Sequence, residues 1–190
     1  MKSVSQARKE IIQSARPLEA ESVPLEEALD RVIAKAERAK CTKPAHDVSA
    51  MDGFALNGGG KTWHIMGKIA AGDKLPSYRL KKGEAMHIST GAPLPKGADR
   101  ILIKEDATLT AKKLTAKQTP KKDIYIRKKA SDFRKGQKLF SKGIKLTPPI
   151  LSLAAAAGIS KLTLYRRPQI ALLSNGNELV SLGTLPKPHQ

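Results

Sequence analysis

The stretch from residue 44 to residue 127 constrains the fold most, because its apolar residues come in short runs that turn-forming residues interrupt. The runs at residues 63–69, 85–88 and 100–103 are separated by glycine, proline and aspartate. This pattern of residues is typical of strands joined by tight turns. Residues 109–122 are rich in Lys and Thr with only scattered apolar residues, so we expect a mobile hairpin or loop there rather than part of the core.

Three stretches outside this β-rich segment have helical patterns. Residues 3–16 place apolar residues three or four positions apart, which predicts an amphipathic helix. Residues 24–35 open with a proline and two glutamates and continue with an apolar face, which predicts a second helix. Residues 147–157 begin with a threonine and two prolines, and Gly158 ends this third, alanine-rich helix.

The last part of the chain has the pattern of a strand from a different kind of domain. Residues 162–165 alternate like a strand, whereas residues 170–173 form a continuous apolar run. A continuous run is typical of a buried strand in a parallel sheet. Too few residues follow for a crossover helix and further strands. We therefore expect the truncated start of an α/β domain.

The charge balance limits the classes of partner. The chain has 35 Lys and Arg against 17 Asp and Glu, a net charge of +18, and residues 112–146 are especially basic. This excess would attract nucleic acid, anionic metabolites or an acidic protein. Aromatic residues make up only 4% of the chain, which leaves few platforms for stacking bases. We expect no dedicated nucleic-acid partner.

Cysteine use and hydropathy indicate the setting. Cys41 is the single cysteine, so an internal disulfide is impossible and a thiolate zinc site cannot be built from this chain. No apolar run approaches membrane-spanning length, and the N-terminus lacks the apolar core of an export signal. The expectation is a reducing, cytoplasmic location without membrane insertion.

Three familiar kinds of site find no support. The glycines at 58–60 superficially resemble a phosphate loop, but Ala55 stands where its first glycine would fall. No serine lies in a Gly-x-Ser-x-Gly turn, which argues against esterase chemistry. The four histidines are too scattered to show the spacing of a zinc site; they are His46, His64, His87 and His189.

Two short motifs carry residue types that are useful for chemistry. Asp52 precedes Gly53, and a carboxylate in such a turn can bind a hard cation or accept a hydrogen bond. Ser89 and Thr90 precede Gly91, so two hydroxyls stand beside a bare backbone that can approach an oxyanion. Each motif alone is more often an ordinary turn.

The order of these motifs along the chain makes it resemble the molybdopterin molybdotransferases. The resemblance runs from about residue 23 onward and is carried most specifically by Ser49-Ala50-Met51-Asp52-Gly53 and Ser89-Thr90-Gly91-Ala92-Pro93. It continues through Asp132-Phe133, Leu146-Thr147-Pro148, Tyr165-Arg166-Arg167-Pro168 and Ser174-Asn175-Gly176-Asn177-Glu178-Leu179.

The resemblance implies an activity and a set of partners. Enzymes of that family insert molybdate into adenylylated molybdopterin and release AMP, with a divalent cation such as Mg²⁺, and they are homodimers. By motif position, Asp52, Thr90 and Asp132 would be catalytic, and Ser89 and Gly91 would bind substrate oxyanion. No metal ligand is assigned firmly, although Asp52 is a possible one.

The resemblance also implies an elongated α+β fold in three parts. A helical, dimer-forming first domain would comprise residues 1–43 and 133–165. The β-rich domain, residues 44–132, would be inserted into it. Residues 166–190 would be a remnant of the α/β domain that carries most of the pterin site, so we expect this chain to be inactive by itself.

This chain departs from the family pattern at several positions. Asn175 and Asn177 replace a threonine and a carboxylate, and Ala130-Ser131 replaces Gly-Glu before Asp132. Two alternatives therefore stay open. The alternatives to a shortened molybdotransferase are a non-catalytic scaffold that dimerises and, less expected, a basic module that binds RNA or an acidic protein through residues 112–145.

Overall fold

The computed structural model describes residues 2–188, and this part is mostly β with few helices. Its helices are α1 (Val4–Ser14) and α2 (Pro148–Ala156). The strands in chain order are β1 (Ala20–Pro24), β2 (Glu37–Arg38), β3 (Val48–Ser49), β4 (Gly53–Leu56), β5 (Thr62–Ile69), β6 (Glu84–Ile88), β7 (Arg100–Ile103), β8 (Ala107–Thr110), β9 (Lys113–Ala116), β10 (Ile126–Arg127), β11 (Lys138–Phe140) and β12 (Lys161–Tyr165).

The middle of the chain folds into a six-stranded sheet, as the apolar runs and turn-forming residues of 44–127 predict. Its strand order is β7-β4-β6-β5-β9-β8, and only the β5–β6 pair is parallel among the described strands. Apolar side chains pack in clusters on this sheet, with Leu56, Ala85 and Leu114 in one cluster and Ala55 and Ile101 in another. The alternation of the strands therefore produces two buried layers.

A separate core joins two stretches that are distant along the chain. β1 pairs with β12, β2 pairs with β11, and α2 packs nearby. Ile33, Leu146 and Leu164 are fully buried in this cluster, whose members come from residues 23–39 and 133–164. Both stretches lie within the predicted first domain, and both contribute to this one core. The exact limits of the predicted domains stay predictions.

The predicted helix over residues 24–35 is wrong. A single 3-10 turn, Leu25–Glu27, forms instead, and Asp30 has a left-handed backbone (φ 63°) that an α-helix cannot contain. Val32 and Ile33 then make β-bridges to residues far along the chain. These β-branched side chains fit extended backbone, and their long-range contacts override the helical spacing. Residues 24–35 are therefore not an α-helix beyond that single 3-10 turn.

Two further expectations need correction. The segment 109–122 does contain a hairpin, β8–β9, but Leu114 is fully buried and Ala116 nearly so, so the hairpin belongs to the core. The strand expected at residues 170–173 does not form, and Leu172 and Leu173 are almost fully exposed. His189 lies outside the described residues. Among residues 2–188, no helix combines the length and apolar character needed to cross a membrane.

The predicted first and third helices are confirmed. α1 begins after a capping box in which the Ser3 and Gln6 side chains satisfy each other's backbone N–H groups. α2 begins with prolines in its first turn, where a missing N–H costs nothing. α2 contributes to the core that contains Ile33 and Leu164. By contrast, α1 has no buried residue, and its Val4 and Ile11 are exposed.

Candidate functional site

The loops that carry the two motifs meet at one end of the six-stranded sheet. β4 begins at Gly53, β6 ends at Ile88, and these two residues are register partners in an antiparallel pair. Antiparallel partners run in opposite directions, so the residue before β4 and the residues after β6 emerge at the same end. This register brings Asp52 next to Ser89 and Thr90.

Asp52 is kept ionised by neighbouring donors. The Thr90 backbone N–H donates to Asp52 Oδ1 at 2.7 Å, and the Thr90 hydroxyl donates to the same oxygen at 3.1 Å. These two hydrogen bonds, with a smaller contribution from the positive charge of Lys104, lower the pKa of Asp52 below its ordinary value. Asp52 Oδ2 makes no hydrogen bond with the described part of the chain, and both Thr90 donors are used on the carboxylate.

The loop around Asp52 rests on a buried serine. Ser49 is 1% exposed, and its hydroxyl donates to the Met51 carbonyl oxygen at 2.6 Å. The Ser49 backbone accepts from the Gly91 N–H at 2.8 Å and donates to the Ala92 carbonyl at 3.0 Å. Gly91 has φ 81°, a conformation that glycine adopts without strain. The two motif loops are therefore tied together, and the Gly91 N–H is used inside the protein.

Strand β7 approaches the same loop closely from the other side. A Cβ on Gly53 would lie 2.0 Å from the Leu102 carbonyl oxygen, so only glycine fits there. Gly53 is the register partner of Ile103, and the next residue, Lys104, donates its backbone N–H to the Asp52 carbonyl at 3.2 Å. The glycine after Asp52 thus allows β7 to place Lys104 beside Asp52.

A cavity of about 750 Å³ opens beside Asp52. This volume lies within the range of about 300–1,000 Å³ that is usual for small-molecule sites. Polar and charged side chains alternate with apolar ones along its wall. The lining residues are Asp52, Gly53, Phe54, Lys68, Ile69, Ala70, Asp73, His87, Ile88, Ser89 and Lys104.

Asp132 has different surroundings. Its Oδ1 accepts from the Arg127 guanidinium at 2.7 Å and from the Ser131 hydroxyl at 3.3 Å. It does not line the cavity beside Asp52. Of the predicted site residues, the structure brings Asp52, Ser89 and Thr90 together and leaves Asp132 ion-paired outside the cavity.

Three basic residues of the cavity wall were not predicted as site residues. Lys68, His87 and Lys104 come from β5, β6 and the residue after β7. No local motif marks them, because the pairings that bring these strands together are long-range. The only signal was indirect: each residue adjoins or belongs to an apolar run that predicts a strand.

The described residues provide few ligands for a metal. No group of three or more His, Cys, Asp or Glu side chains within residues 2–188 is arranged to hold one. Mg²⁺ commonly takes one or two carboxylates and completes its shell with water and substrate phosphate. Asp52, with Oδ2 directed to no protein donor, fits the role of one such ligand.

Comparison with known sequences gives a consistent result. Residues 2–158 match the family described as the MoeA N-terminal region (domain I and II). The chain is 36% identical over 173 residues to a molybdopterin molybdenumtransferase from Synechococcus elongatus, covering 86% of this chain and 43% of that protein. A molybdopterin molybdenumtransferase from Haemophilus influenzae is 33% identical over 189 residues, covering 96% and 46%.

Solved structures are similar as well. A crystal structure of a molybdopterin biosynthesis moea protein from Pyrococcus horikosii superposes with a TM-score of 0.74 and 32% identity, covering 95% of this chain and 49% of that chain. The chain thus spans less than half the length of these relatives.

Proposed function

The chain belongs to the MoeA N-terminal family, and from this membership we propose that it serves molybdenum cofactor biosynthesis as part of a molybdopterin molybdenumtransferase. The family match covers most of the chain, and the curated relatives quoted above carry that enzyme name. The reaction proposed is the insertion of molybdate into adenylylated molybdopterin with release of AMP. The remaining part of the catalytic site would come from the portion of the relatives that this chain does not span.

The observation that carries the proposal is the Asp52–Thr90 pair at the edge of the cavity. Two donors of Thr90 hold Asp52 Oδ1, which fixes the position of the carboxylate and favours its ionised form. The other oxygen, Oδ2, can then contact a ligand. Fixing a charged group before substrate binds is what an electrostatically assisted transfer requires. In this proposal, Thr90 positions Asp52, and Asp52 Oδ2 contacts a cation or a protonated oxygen of the substrate.

Magnesium is part of the proposal. Asp52 would supply one of its ligands, and the substrate phosphates and water would supply the others. When bound, the ion would offset the charge of the phosphate and molybdate oxygens. Asp132 is proposed as a third group, one that acts only when its pairing with Arg127 is released.

A homodimer and a reducing cytoplasmic setting complete the proposal. Val4, Ile11 and Ile12 on α1 are exposed in the single chain, and apolar residues exposed together on a helix favour association. The thiol of Cys41 is free and exposed, which suits a reducing compartment.

The decisive experiment measures cofactor formation from adenylylated molybdopterin, molybdate and magnesium. We would compare this chain alone, the chain fused to the C-terminal part of the Synechococcus elongatus relative, and the fusion carrying Asp52→Ala. The fusion should be active, and Asp52→Ala should lower its rate by about 100-fold or more, because a fixed charge is lost from the site. Asp106→Ala, an exposed carboxylate outside the cavity, serves as the control.

Two results would contradict the proposal. Equal activity of the Asp52→Ala and Asp106→Ala fusions would remove Asp52 from the reaction. A fusion that is folded and binds adenylylated molybdopterin, yet forms no cofactor, would favour the scaffold alternative.

A further inference from the structure

The cavity beside Asp52 has a basic wall that the proposed roles of Asp52 and Thr90 leave unused. Lys68, His87 and Lys104 line it together with the hydroxyl residue Ser89. Three of its wall positions can thus carry positive charge, although the motifs pointed only to a carboxylate and to hydroxyl groups.

The sheet holds the three basic residues in defined positions. Lys68 of β5 and His87 of β6 are register partners, so their side chains lie next to each other on one face. The His87 ring packs against the Phe54 ring, with 4.4 Å between the ring centroids. Lys104 is tied to the Asp52 loop by its backbone hydrogen bond. The wall is therefore built on strands and not on a free loop.

The two lysines of the cavity are not held in ion pairs within the described part of the chain. Neither Lys68 nor Lys104 makes an ion pair among residues 2–188. The carboxylates on the wall are engaged elsewhere by one oxygen each. Asp52 Oδ1 accepts from Thr90, and Asp73 Oδ2 accepts from the Ala70 N–H at 2.8 Å.

Of the donors first expected near an oxyanion, only the Ser89 hydroxyl is not taken within the described part of the chain. Both Thr90 donors point to Asp52, and the Gly91 N–H is bonded to Ser49. An oxyanion in this cavity must therefore find further donors among the other lining residues. Ammonium groups supply three donors each and full charge.

We propose that Lys68 and Lys104, assisted by His87 and the Ser89 hydroxyl, form a subsite for a tetrahedral oxyanion next to Asp52. The inference rests on the proposed function, which makes that oxyanion either molybdate or a phosphate group of the adenylylated substrate. The lysines bind and orient the oxyanion, and Asp52 adjoins it. No covalent step is assigned to them.

The test uses the whole chain and two probes, molybdate and AMP, in NMR titrations at about 0.15 M salt, where distant surface charges are screened. The wild-type chain should show saturable shifts of the amides around the cavity. Lys104→Met and Lys68→Met should each weaken binding by about tenfold, since each removes one charge-assisted contact. Lys112→Met, an exposed lysine at the turn of the β8–β9 hairpin, changes the net charge equally and should leave binding unchanged.

The outcomes either identify the bound oxyanion or overturn the proposal. Weakened binding of molybdate alone assigns the subsite to the metal oxyanion, and weakened binding of AMP assigns it to phosphate. Equal affinities of Lys104→Met, Lys68→Met and Lys112→Met overturn the proposal, as does the lack of saturable shifts around the cavity.

The same variants in the fusion separate this inference from the proposed function. An active fusion that tolerates both cavity substitutions would reject the subsite alone. A fusion that binds molybdate through Lys104 but forms no cofactor would reject the proposed reaction and retain the subsite.

Discussion

Asp52 and Asp132 are both exposed aspartates that sequence motifs single out, yet the structure surrounds them differently. Asp52 is held by two neutral donors of Thr90 and keeps one oxygen free beside a cavity. Asp132 lies against the Arg127 guanidinium and does not line that cavity. A motif can point to a carboxylate, but its long-range partners decide whether the charge is available for a ligand or already neutralised.

The nearest glycine after each aspartate also differs in how closely other backbone approaches it. Gly53, next to Asp52, lies directly under β7, whereas an added Cβ on Gly136, four residues after Asp132, would meet nothing within 4 Å. The backbone at Gly53 is therefore tightly packed, whereas the position of Gly136 is open. Three experiments test this difference between the two aspartates.

The largest effect is expected from Gly53→Ala. Its Cβ would lie 2.0 Å from the Leu102 carbonyl, so β4 and β7 must separate, and overpacking of this kind costs about 3 kcal/mol of unfolding free energy. Gly136→Ala meets open space but must adopt φ 84°, which costs about 1 kcal/mol. Urea unfolding of the two variants measures both costs, and equal losses would show that the two regions are packed alike.

An intermediate effect is expected from Thr90→Val. Removing the hydroxyl leaves the backbone N–H to Asp52 in place, so the pKa of Asp52 should rise part of the way towards its ordinary value. A depressed folded-state pKa stabilises the protein above the unfolded-state pKa, and this contribution disappears as the pH falls through the folded-state value. In Thr90→Val this contribution is smaller, and its loss is complete at a higher pH than in the wild type.

The matched control is Thr90→Ser, which keeps the hydroxyl. NMR titration of the Asp52 carboxyl carbon should show a raised pKa in Thr90→Val and an unchanged one in Thr90→Ser. Identical titration curves for the wild type and both variants would mean that the hydroxyl does not hold Asp52.

Part of the site and fold could be predicted because the signals are local. Asp52, Ser89 and Thr90 lie in short, specific motifs, and their order along the chain identified the family. The helix over residues 147–157 was marked by its own cap and prolines, and the strand at residues 63–69 by its flanking turns. Each of these signals is complete within a few neighbouring residues.

What could not be predicted depends on pairing between distant segments. Lys68 and His87 adjoin only because β5 and β6 pair in parallel, and Lys104 reaches Asp52 only because β7 pairs with β4. The incorrect helix at residues 24–35 has the same cause. Its helical spacing is real, but bridges to distant residues hold that segment in another conformation.

The smallest effect is expected from Arg127→Gln, which breaks the ion pair of Asp132. The pair has an N···O distance of 2.7 Å, but its side chains are 52% and 34% exposed. Ion pairs exposed to this degree contribute about 0.5 kcal/mol. Arg134→Gln removes the same charge from an exposed arginine that has no ion pair in the described chain, so the difference in unfolding free energy between the two variants isolates the pair.

Salt dependence completes this test of the contrast. In about 1 M KCl the difference between Arg127→Gln and Arg134→Gln should vanish, because exposed charges are then screened. The hydrogen bonds of Thr90 to Asp52 come from neutral donors and should persist, leaving the Asp52 pKa of Thr90→Val above that of the wild type in the same salt. A difference between the arginine variants of more than about 2 kcal/mol that survives salt would mean that Asp132 is held as firmly as Asp52. In that case Asp132 would not be released from Arg127, and its proposed role as a third group of the site would be rejected.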